Sequence, residues 1–202
     1  MKIPEFKIRT DLALEEREGL KEAAEEVSGV SFKKWEGKRS AAQITEVKVL
    51  NEHGAKALGK PMGSYLTLEA DKLLMPDEDF HSEVSDELAL LLKGLLKQKT
   101  GKNILVAGLG NQSVTPDSLG PRTVSNLCVS AEGLKAIAPG VMAQTGMETA
   151  RILLGIIKEV QPDLVIAIDA LAARSIRRLG TTIQLTDTGI HPGSGVGNHR
   201  HS

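Results

Sequence analysis

Two aspartates stand where apolar stretches of the sequence end, and both residues can take part in proton transfer. Asp169 follows the apolar run 164–168, and Asp117 lies in VTPDSLGP shortly after NILVAGLGN (103–111), a predicted apolar strand that ends in a glycine-rich turn. If the two stretches are neighbouring parallel strands, both carboxylates approach one crevice. Two close carboxylates have split proton affinities, so one can stay protonated while the other acts as a base toward water. The same pair could instead hold a divalent metal ion through its oxygens.

Each aspartate also has a purely structural interpretation. Thr115 could be the N-cap of a helix with Pro116 at its first position. Asp117 would then lie in the first helical turn, where a negative charge stabilises the helix. Asp169 could likewise cap a helix that follows its strand. Capping explains one aspartate at a time, but it does not explain why carboxylates follow two successive strands.

Glycine-rich loops accompany both aspartates. GLGN (108–111) joins a predicted strand to a predicted helix, yet it has neither the third glycine of a dinucleotide fingerprint nor the Gly-Lys-Ser/Thr of a P-loop. A tight turn and a ligand-contacting turn therefore both remain open. TDTGIHPGSGVG (186–197) brings a histidine and further glycines to the same rim. Backbone amides of such loops can bind an anion or a peptide carbonyl, which gives a candidate substrate and oxyanion loop set: Gly108, Gly110, Asn111, His191, Gly193 and Gly195.

The second half of the sequence alternates strands with helices. Strands are predicted at 103–111, 163–169 and 181–187, with a helix from 116, a long helix that ends before Gln161, and a short helix at 171–180. This order predicts right-handed crossovers and an α/β fold with three α/β/α layers around a mainly parallel sheet. The first half predicts a small N-terminal α+β extension, with helices at 12–27 and 83–99 and strands at 42–50 and 64–70.

Composition excludes several classes of protein. The 202 residues are 41% hydrophobic, and 25 Lys and Arg nearly balance 26 Asp and Glu, so the net charge of -1 gives no general attraction to nucleic acid or membranes. Cys128 is the single cysteine, which excludes an intramolecular disulfide, and its apolar neighbours predict a buried, inert thiol. No secretory signal and no apolar run of about 20 residues is found. We therefore expect a soluble, cytoplasmic protein.

Taken together, the motifs resemble the bacterial spore germination protease family, and the match runs in order along nearly the whole chain. The strings are IRTDLA (8–13), YLTLEA (65–70), GLGN-x-x-VTPD-x-LGP (108–121), APGVM-x-x-TG-x-ET (138–149), PD-x-VIAIDALAAR (162–174) and TTIQ-x-x-D-x-GIHPGSGVGN (181–198). The resemblance implies an aspartic-type endopeptidase unrelated to pepsin. It would degrade small acid-soluble DNA-binding spore proteins at germination, in the cytoplasm of the forespore and spore core. It also implies a zymogen and a homotetramer, with no cofactor and with neither nucleic acid nor membrane as a direct partner.

The resemblance also assigns roles to individual residues. The family's catalytic aspartates fall on Asp117 and Asp169. Its propeptide cleavage falls between Asp11 and Leu12, so residues 1–11 are the expected propeptide and residues 12–202 a single α/β peptidase domain. Family members continue beyond HPGSGVGN with further strands and helices, so we expect a chain that is C-terminally truncated relative to the family.

A more distant resemblance is to the hydrogenase maturation endopeptidases, which have a phosphorylase/hydrolase-like fold. They share a strand that ends in G-x-GN, an acidic residue before a helix, and a strand that ends in Asp followed by Ala. In that family the corresponding acids bind a metal ion together with a histidine. Two alternatives therefore remain: a peptidase with one divalent metal ion held by Asp117, Asp169 and His191, or an inactive truncated form that acts only by binding.

Overall fold

Two sheets of opposite type organise the chain. The computed structural model describes residues 9–21, 27–96, 103–129 and 133–190. The chain divides into a first unit, Met1–Leu96 with Ala172–Thr188, and a second unit, Lys97–Leu171 with Gly189–Ser202. Each unit has its own sheet and its own buried core.

The first unit contains a four-stranded antiparallel sheet. Its strands are β1 (Val30–Glu36), β2 (Gln43–Val49), β3 (Gly63–Glu69) and β7 (Thr182–Thr186), in the spatial order β1-β2-β3-β7. Its helices are α1 (Ala13–Lys21), α2 (Glu52–Leu58) and α3 (Glu78–Leu96), and a short 3₁₀ turn covers Asp71–Leu74.

Helices cover both faces of this antiparallel sheet, because successive side chains of a strand point to opposite faces. Val47 and Tyr65 are register partners and pack with Ala13 of α1 and Leu58 of α2. On the opposite face, Ile44 and Leu68 are register partners and pack with Val84 of α3. The sheet is therefore the middle of three layers.

The second unit contains a three-stranded parallel sheet. Its strands are β4 (Ile104–Gly108), β5 (Leu134–Ile137) and β6 (Leu164–Ile168), in the order β5-β4-β6. The helices of this unit are α4 (Leu119–Ser125), α5 (Met142–Thr145) and α6 (Thr149–Val160). Leu153 of α6 packs on Ala107 and Leu109, whereas α4 packs on the other face at Gly108. Val165 and Ala167 of β6 remain exposed.

The prediction of a mainly parallel sheet is confirmed only in part, since β5, β4 and β6 form a parallel sheet but the other four strands form an antiparallel one. The mixed α/β class and the parallel pairing of β4 with β6 are confirmed, but β7 joins the antiparallel sheet as the neighbour of β3. A parallel crossover needs about a dozen or more residues and usually a helix. Residues 169–181 form only a 3₁₀ turn, Ile176–Arg178, where a short helix was predicted. The resemblance to the hydrogenase maturation endopeptidase fold and the predicted domain boundaries stay predictions.

Other elements differ from expectation in detail. β1 and β5 were not predicted, since β1 carries consecutive lysines on an edge strand and β5 has only four residues. The predicted helix 12–27 is confirmed for its described part, Ala13–Lys21. Cys128 is exposed rather than buried, because it follows the end of α4 instead of lying inside an element. No helix among the described residues is both long and apolar enough to cross a membrane.

Candidate functional site

The parallel pairing of β4 with β6 determines where the two predicted catalytic aspartates lie. Gly108, the last residue of β4, is the register partner of Ile168, the last residue of β6. Past the ladder, the Leu109 N–H donates a hydrogen bond to the Ile168 carbonyl at 2.7 Å. The loops that carry Asp117 and Asp169 therefore leave the same edge of the sheet from neighbouring strands, as the sequence predicted.

Asp117 is held by the loop that carries it. Its side chain is buried, and its Oδ2 accepts a hydrogen bond of 2.8 Å from the Asn111 N–H. The same N–H also donates to the Asp117 carbonyl at 3.0 Å, and the Asp117 N–H donates to the Val114 carbonyl at 2.8 Å. The interpretation of Thr115 as a helix N-cap is wrong, since Thr115–Asp117 form a 3₁₀ turn capped by Val114, and α4 begins only at Leu119.

Asp169 immediately follows β6 and is partly buried. Its Oδ1 accepts a hydrogen bond of 2.8 Å from the N–H of Ala170. One oxygen of each aspartate is therefore oriented by a neighbouring backbone N–H.

Glycines allow the loops to pack against one another at this edge. A Cβ on Gly108 would lie 2.2 Å from the Gly120 carbonyl oxygen, and a Cβ on Gly110 would lie 2.1 Å from the Asp117 carbonyl oxygen. Gly110 also has a φ of 113°, which disfavours any other residue. These glycines fix the approach of the Asp117 loop to β4. The oxyanion role of Gly108, Gly110 and Asn111 stays a prediction, and the Asn111 N–H is here donated to Asp117.

A third loop, at the carboxyl end of β5, reaches the Asp117 loop through Gln144. The Gln144 Nε2 donates a hydrogen bond of 2.8 Å to Asn111 Oδ1. The sequence analysis included this stretch in the family motif APGVM-x-x-TG-x-ET (138–149), in which Gln144 is not one of the specified residues. A glutamine three residues after a possible cap position was the available signal, because such a residue often bonds back to the start of its helix.

Three predicted site residues, His191, Gly193 and Gly195, lie outside the described residues. The alternative metal set of Asp117, Asp169 and His191 therefore stays a prediction. Within the described residues, no group of three or more His, Cys, Asp or Glu side chains could hold a metal ion.

The predicted propeptide junction, Asp11 and Leu12, lies in the first unit and is enclosed by hydrogen bonds. The Asp11 carbonyl accepts from Lys60 Nζ at 2.9 Å and from Gln184 Nε2 at 3.2 Å. The Asp11 N–H donates to the Ala172 carbonyl, and the Ala172 N–H donates to Asp11 Oδ2 at 2.9 Å. Leu12 is fully buried. Burial lowers the pKa of Lys60, while the Asp11 carboxylate acts in the opposite direction.

A carboxylate on α1 fastens the segment that follows Ala172. Glu15 is buried and accepts hydrogen bonds from the Arg174 N–H at 2.6 Å, the Ser175 N–H at 2.9 Å and Arg178 Nη1 at 3.3 Å. Arg178 also pairs with Glu18 and Glu69, each at 2.7 Å. Burial alone raises the pKa of Glu15, but the hydrogen bonds outweigh burial and lower it. The hydrogen bonds and charges of Glu18 and Glu69 raise the pKa of Arg178 against the effect of burial.

Comparison with known proteins gives a consistent set of matches. A family model described as "Germination protease" matches residues 8–202. Across 96% of its length, the chain is 50% identical to the Germination protease of Caldanaerobacter subterraneus subsp. tengcongensis, of which it covers 63%. The chain is 41% identical to the Germination protease of Clostridium perfringens and covers 64% of that protein. It is 44% identical to the Germination protease of Oceanobacillus iheyensis and covers 59% of that protein. Both alignments include 96% of this chain. The chain therefore spans less than two thirds of the length of these relatives.

Proposed function

The chain belongs to the germination protease family, and from that premise we propose that it is an endopeptidase that begins the degradation of small acid-soluble spore proteins during germination. The observation that carries this proposal is the parallel pairing of β4 with β6, which places the loops of Asp117 and Asp169 at one sheet edge. In α/β folds, active sites lie at the carboxyl ends of such strands.

The proposed reaction is aspartic-type hydrolysis of a peptide bond without a cofactor. One carboxylate of the pair takes a proton from water as the water attacks the peptide carbonyl carbon. The other, protonated, carboxyl group donates its proton to the leaving amine. Backbone N–H groups of the glycine loops would stabilise the oxyanion that forms on the carbonyl oxygen.

The enclosed junction at Asp11 supports a zymogen, with residues 1–11 as its propeptide. Peptidases act on extended, accessible chain, whereas here the carbonyl of the junction is bonded by Lys60 and Gln184 and Leu12 is buried. Cleavage at this bond would therefore require local opening first. We assign the protein to the cytoplasm of the forespore and spore core, and we propose a homotetramer by its membership of the family.

Asparagine at either aspartate tests the proposed pair, in the chain from which residues 1–11 have been removed. Asp117→Asn and Asp169→Asn should each lower the rate of cleavage of a purified small acid-soluble spore protein by at least about 100-fold, because asparagine cannot exchange a proton with water or the leaving amine. Thermal unfolding should change little. Rates are measured by gel electrophoresis of the products over time.

Asp163→Asn is the matched control, since Asp163 precedes the same strand, β6, and bonds the Asn103 N–H at its opposite end. This variant should keep its activity. Proteolysis that persists in both aspartate variants would exclude the pair.

Loss of activity with a chelator, restored by one divalent metal ion, would support the metal alternative with His191. Substrate binding without turnover after removal of residues 1–11 would support the inactive binding form.

A further inference from the structure

Gln144 joins two loops that leave the carboxyl ends of neighbouring strands. α5, which carries Gln144, lies beyond β5, while Asn111 lies beyond β4, and the two strands pair in parallel. Gln144 Nε2 donates to Asn111 Oδ1 at 2.8 Å, and the Asn111 N–H donates to Asp117 Oδ2 at 2.8 Å. We propose that Gln144 is a positioning residue for Asp117 that acts through Asn111. This inference rests on the proposed function.

The orientations of both side-chain amides follow from their backbone partners. Asn111 Oδ1 accepts a hydrogen bond of 3.0 Å from the Ser113 N–H, so the oxygen rather than the nitrogen must face Ser113 and Gln144. Gln144 Oε1 accepts from the Val141 N–H at 3.4 Å, which leaves its Nε2 as the donor to Asn111. Reversing either amide would place two donors or two acceptors face to face. The link therefore has one direction, from Gln144 to Asn111.

Gln144 is itself fixed at its base. The Gln144 N–H donates to the Val141 carbonyl at 2.9 Å. Thr149 Oγ1, at the start of α6, donates to the Gly140 carbonyl at 3.1 Å, and Thr145 Oγ1, at the end of α5, donates to the Val141 carbonyl at 3.2 Å. Gln144 Nε2 therefore projects from α5, a short helix whose first turn is held by hydrogen bonds to the Val141 carbonyl. A positioning residue requires such a fixed backbone.

Asn111 transmits the position of Gln144 to the carboxylate. With its side chain held by Ser113 and Gln144, Asn111 presents its backbone N–H to Asp117. Gly110, on its amino-terminal side, has a φ of 113° and no side chain to restrain the backbone there. Without Gln144, the Asn111 peptide has one restraint fewer beside this flexible residue. The N–H···Oδ2 bond then forms for a smaller fraction of the time.

Substitutions that remove only the donor test this role. Gln144→Glu keeps the length and the acceptor for the Val141 N–H, but it faces Asn111 Oδ1 with an oxygen that carries no proton. Gln144→Met keeps the length without adding charge. Gln112→Glu is the matched control, because Gln112 is exposed on the Asp117 loop and no side-chain hydrogen bond is found for it among the described residues. It adds the same charge without touching the link.

Two readouts are measured for each variant and for the parent chain, all after removal of residues 1–11. In cleavage of a small acid-soluble spore protein, both Gln144 variants should lower kcat by roughly three- to ten-fold, the size of one side-chain hydrogen bond, with KM unchanged. Exchange of the Asn111 amide hydrogen, followed by NMR, should accelerate by a similar factor. Asn111→Ala combined with Gln144→Met should be no slower than Asn111→Ala alone, because both changes break one chain of contacts. Gln112→Glu should change neither readout.

The two readouts separate this inference from the proposed function. If the parent chain cleaves the substrate and the Gln144 variants have unchanged kcat, the positioning role is excluded. A loss in kcat that is additive with Asn111→Ala would also exclude action through Asn111. If the parent chain does not cleave the substrate after residues 1–11 have been removed, the proposed function fails. Hydrogen exchange at the Asn111 amide then remains as the test of the link from Gln144 to Asn111. Faster exchange in both Gln144 variants supports the link, and unchanged exchange excludes it.

Discussion

At the residue scale, Gly120 shows how closely the backbones must approach to form the candidate site. A Cβ on Gly120 would lie 2.4 Å from both the Ile168 and the Leu109 carbonyl oxygens, which belong to the last residue of β6 and to the residue that follows β4. These backbones are tied by the bond from Leu109 to Ile168, so neither can move independently. The space between these two carbonyl oxygens therefore accommodates glycine alone at position 120. The close packing of Gly120 fixes the first turn of α4 and, through it, the position of the preceding Asp117.

Gly120→Ala should destabilise the protein by about 3 kcal/mol, because the added methyl group must displace backbone rather than the end of a side chain. The free energy of unfolding is measured by urea denaturation. Gly155→Ala is the matched control, since Gly155 lies in α6 with nothing within 4 Å of the added Cβ. The control should gain about 0.5 to 1 kcal/mol from higher helix propensity. Equal effects of the two changes would contradict the close-packing argument.

The position of the Asp117 and Asp169 loops at one sheet edge was predictable from the sequence, whereas the residue that joins the Asp117 loop to the loop after β5 was not. Asp117 and Asp169 each follow an apolar run, and parallel strands end at a common edge, so local pattern was enough. The contact of Gln144 with Asn111 spans 33 positions and depends on how two irregular loops meet. Neither hydrophobic period nor helix propensity carries that information. The structural use of Gly120 was hidden for the same reason.

At the element scale, α1 and the segment after Ala172 are held together mainly by charge. Glu15 accepts hydrogen bonds from two backbone N–H groups of this segment and from Arg178, which also contacts Glu18 and Glu69. The sequence pattern predicted a short helix at 171–180. The prediction failed because Arg178 is drawn inward by three carboxylates that are distant in sequence, and the chain forms only a 3₁₀ turn.

Glu15→Gln should destabilise the protein by about 2 to 4 kcal/mol at neutral pH, because it removes the charge of a buried partner of Arg178. The pKa of Glu15 is lowered from its ordinary value of 4.5 in the folded protein. A lowered carboxyl pKa stabilises the fold above the unfolded-state pKa, and this contribution is lost as the pH falls through the folded-state pKa. The difference between parent and variant should therefore shrink below about pH 4.5.

Urea denaturation at a series of pH values measures this dependence. Glu18→Gln is the control: Glu18 also contacts Arg178, but its side chain is 48% exposed, so its loss should cost less than about 1 kcal/mol. A parent-minus-variant difference for Glu15 that stays constant from pH 7 into the acid range would contradict the assignment.

At the scale of the whole molecule, the segment before α1 connects distant parts of the first unit. Asp11 meets Lys60, which follows α2, then Ala172, and then Gln184 of β7. Gln184 Oε1 in turn accepts the Ala13 N–H at 2.9 Å, at the start of α1. The sequence motif RTDLA was informative about the family, but the contacts of Asp11 extend over as many as 173 positions and could not be derived from it.

A chain that lacks residues 1–11 should show hydrogen exchange at the Ala172 amide that is faster by roughly ten-fold or more, because this N–H loses the Asp11 carboxylate as its acceptor. The Val47 amide in the middle of β2 should be unaffected and serves as the internal control. Exchange is followed by NMR in both forms. Equal protection of Ala172 in the two forms would show that residues 9–11 do not restrain this segment.

The edge strands of the two sheets differ in charge. β1, at one edge of the antiparallel sheet, carries Lys33 and Lys34, and such charges discourage another strand from pairing there. β6 pairs only with β4 among the described strands, has no charged residue between Leu164 and Ile168, and leaves Val165 exposed. An uncharged, apolar edge is a template for intermolecular β-pairing. We therefore expect intermolecular β-pairing at β6, the strand that Asp169 follows, rather than at the lysine-bearing strand β1.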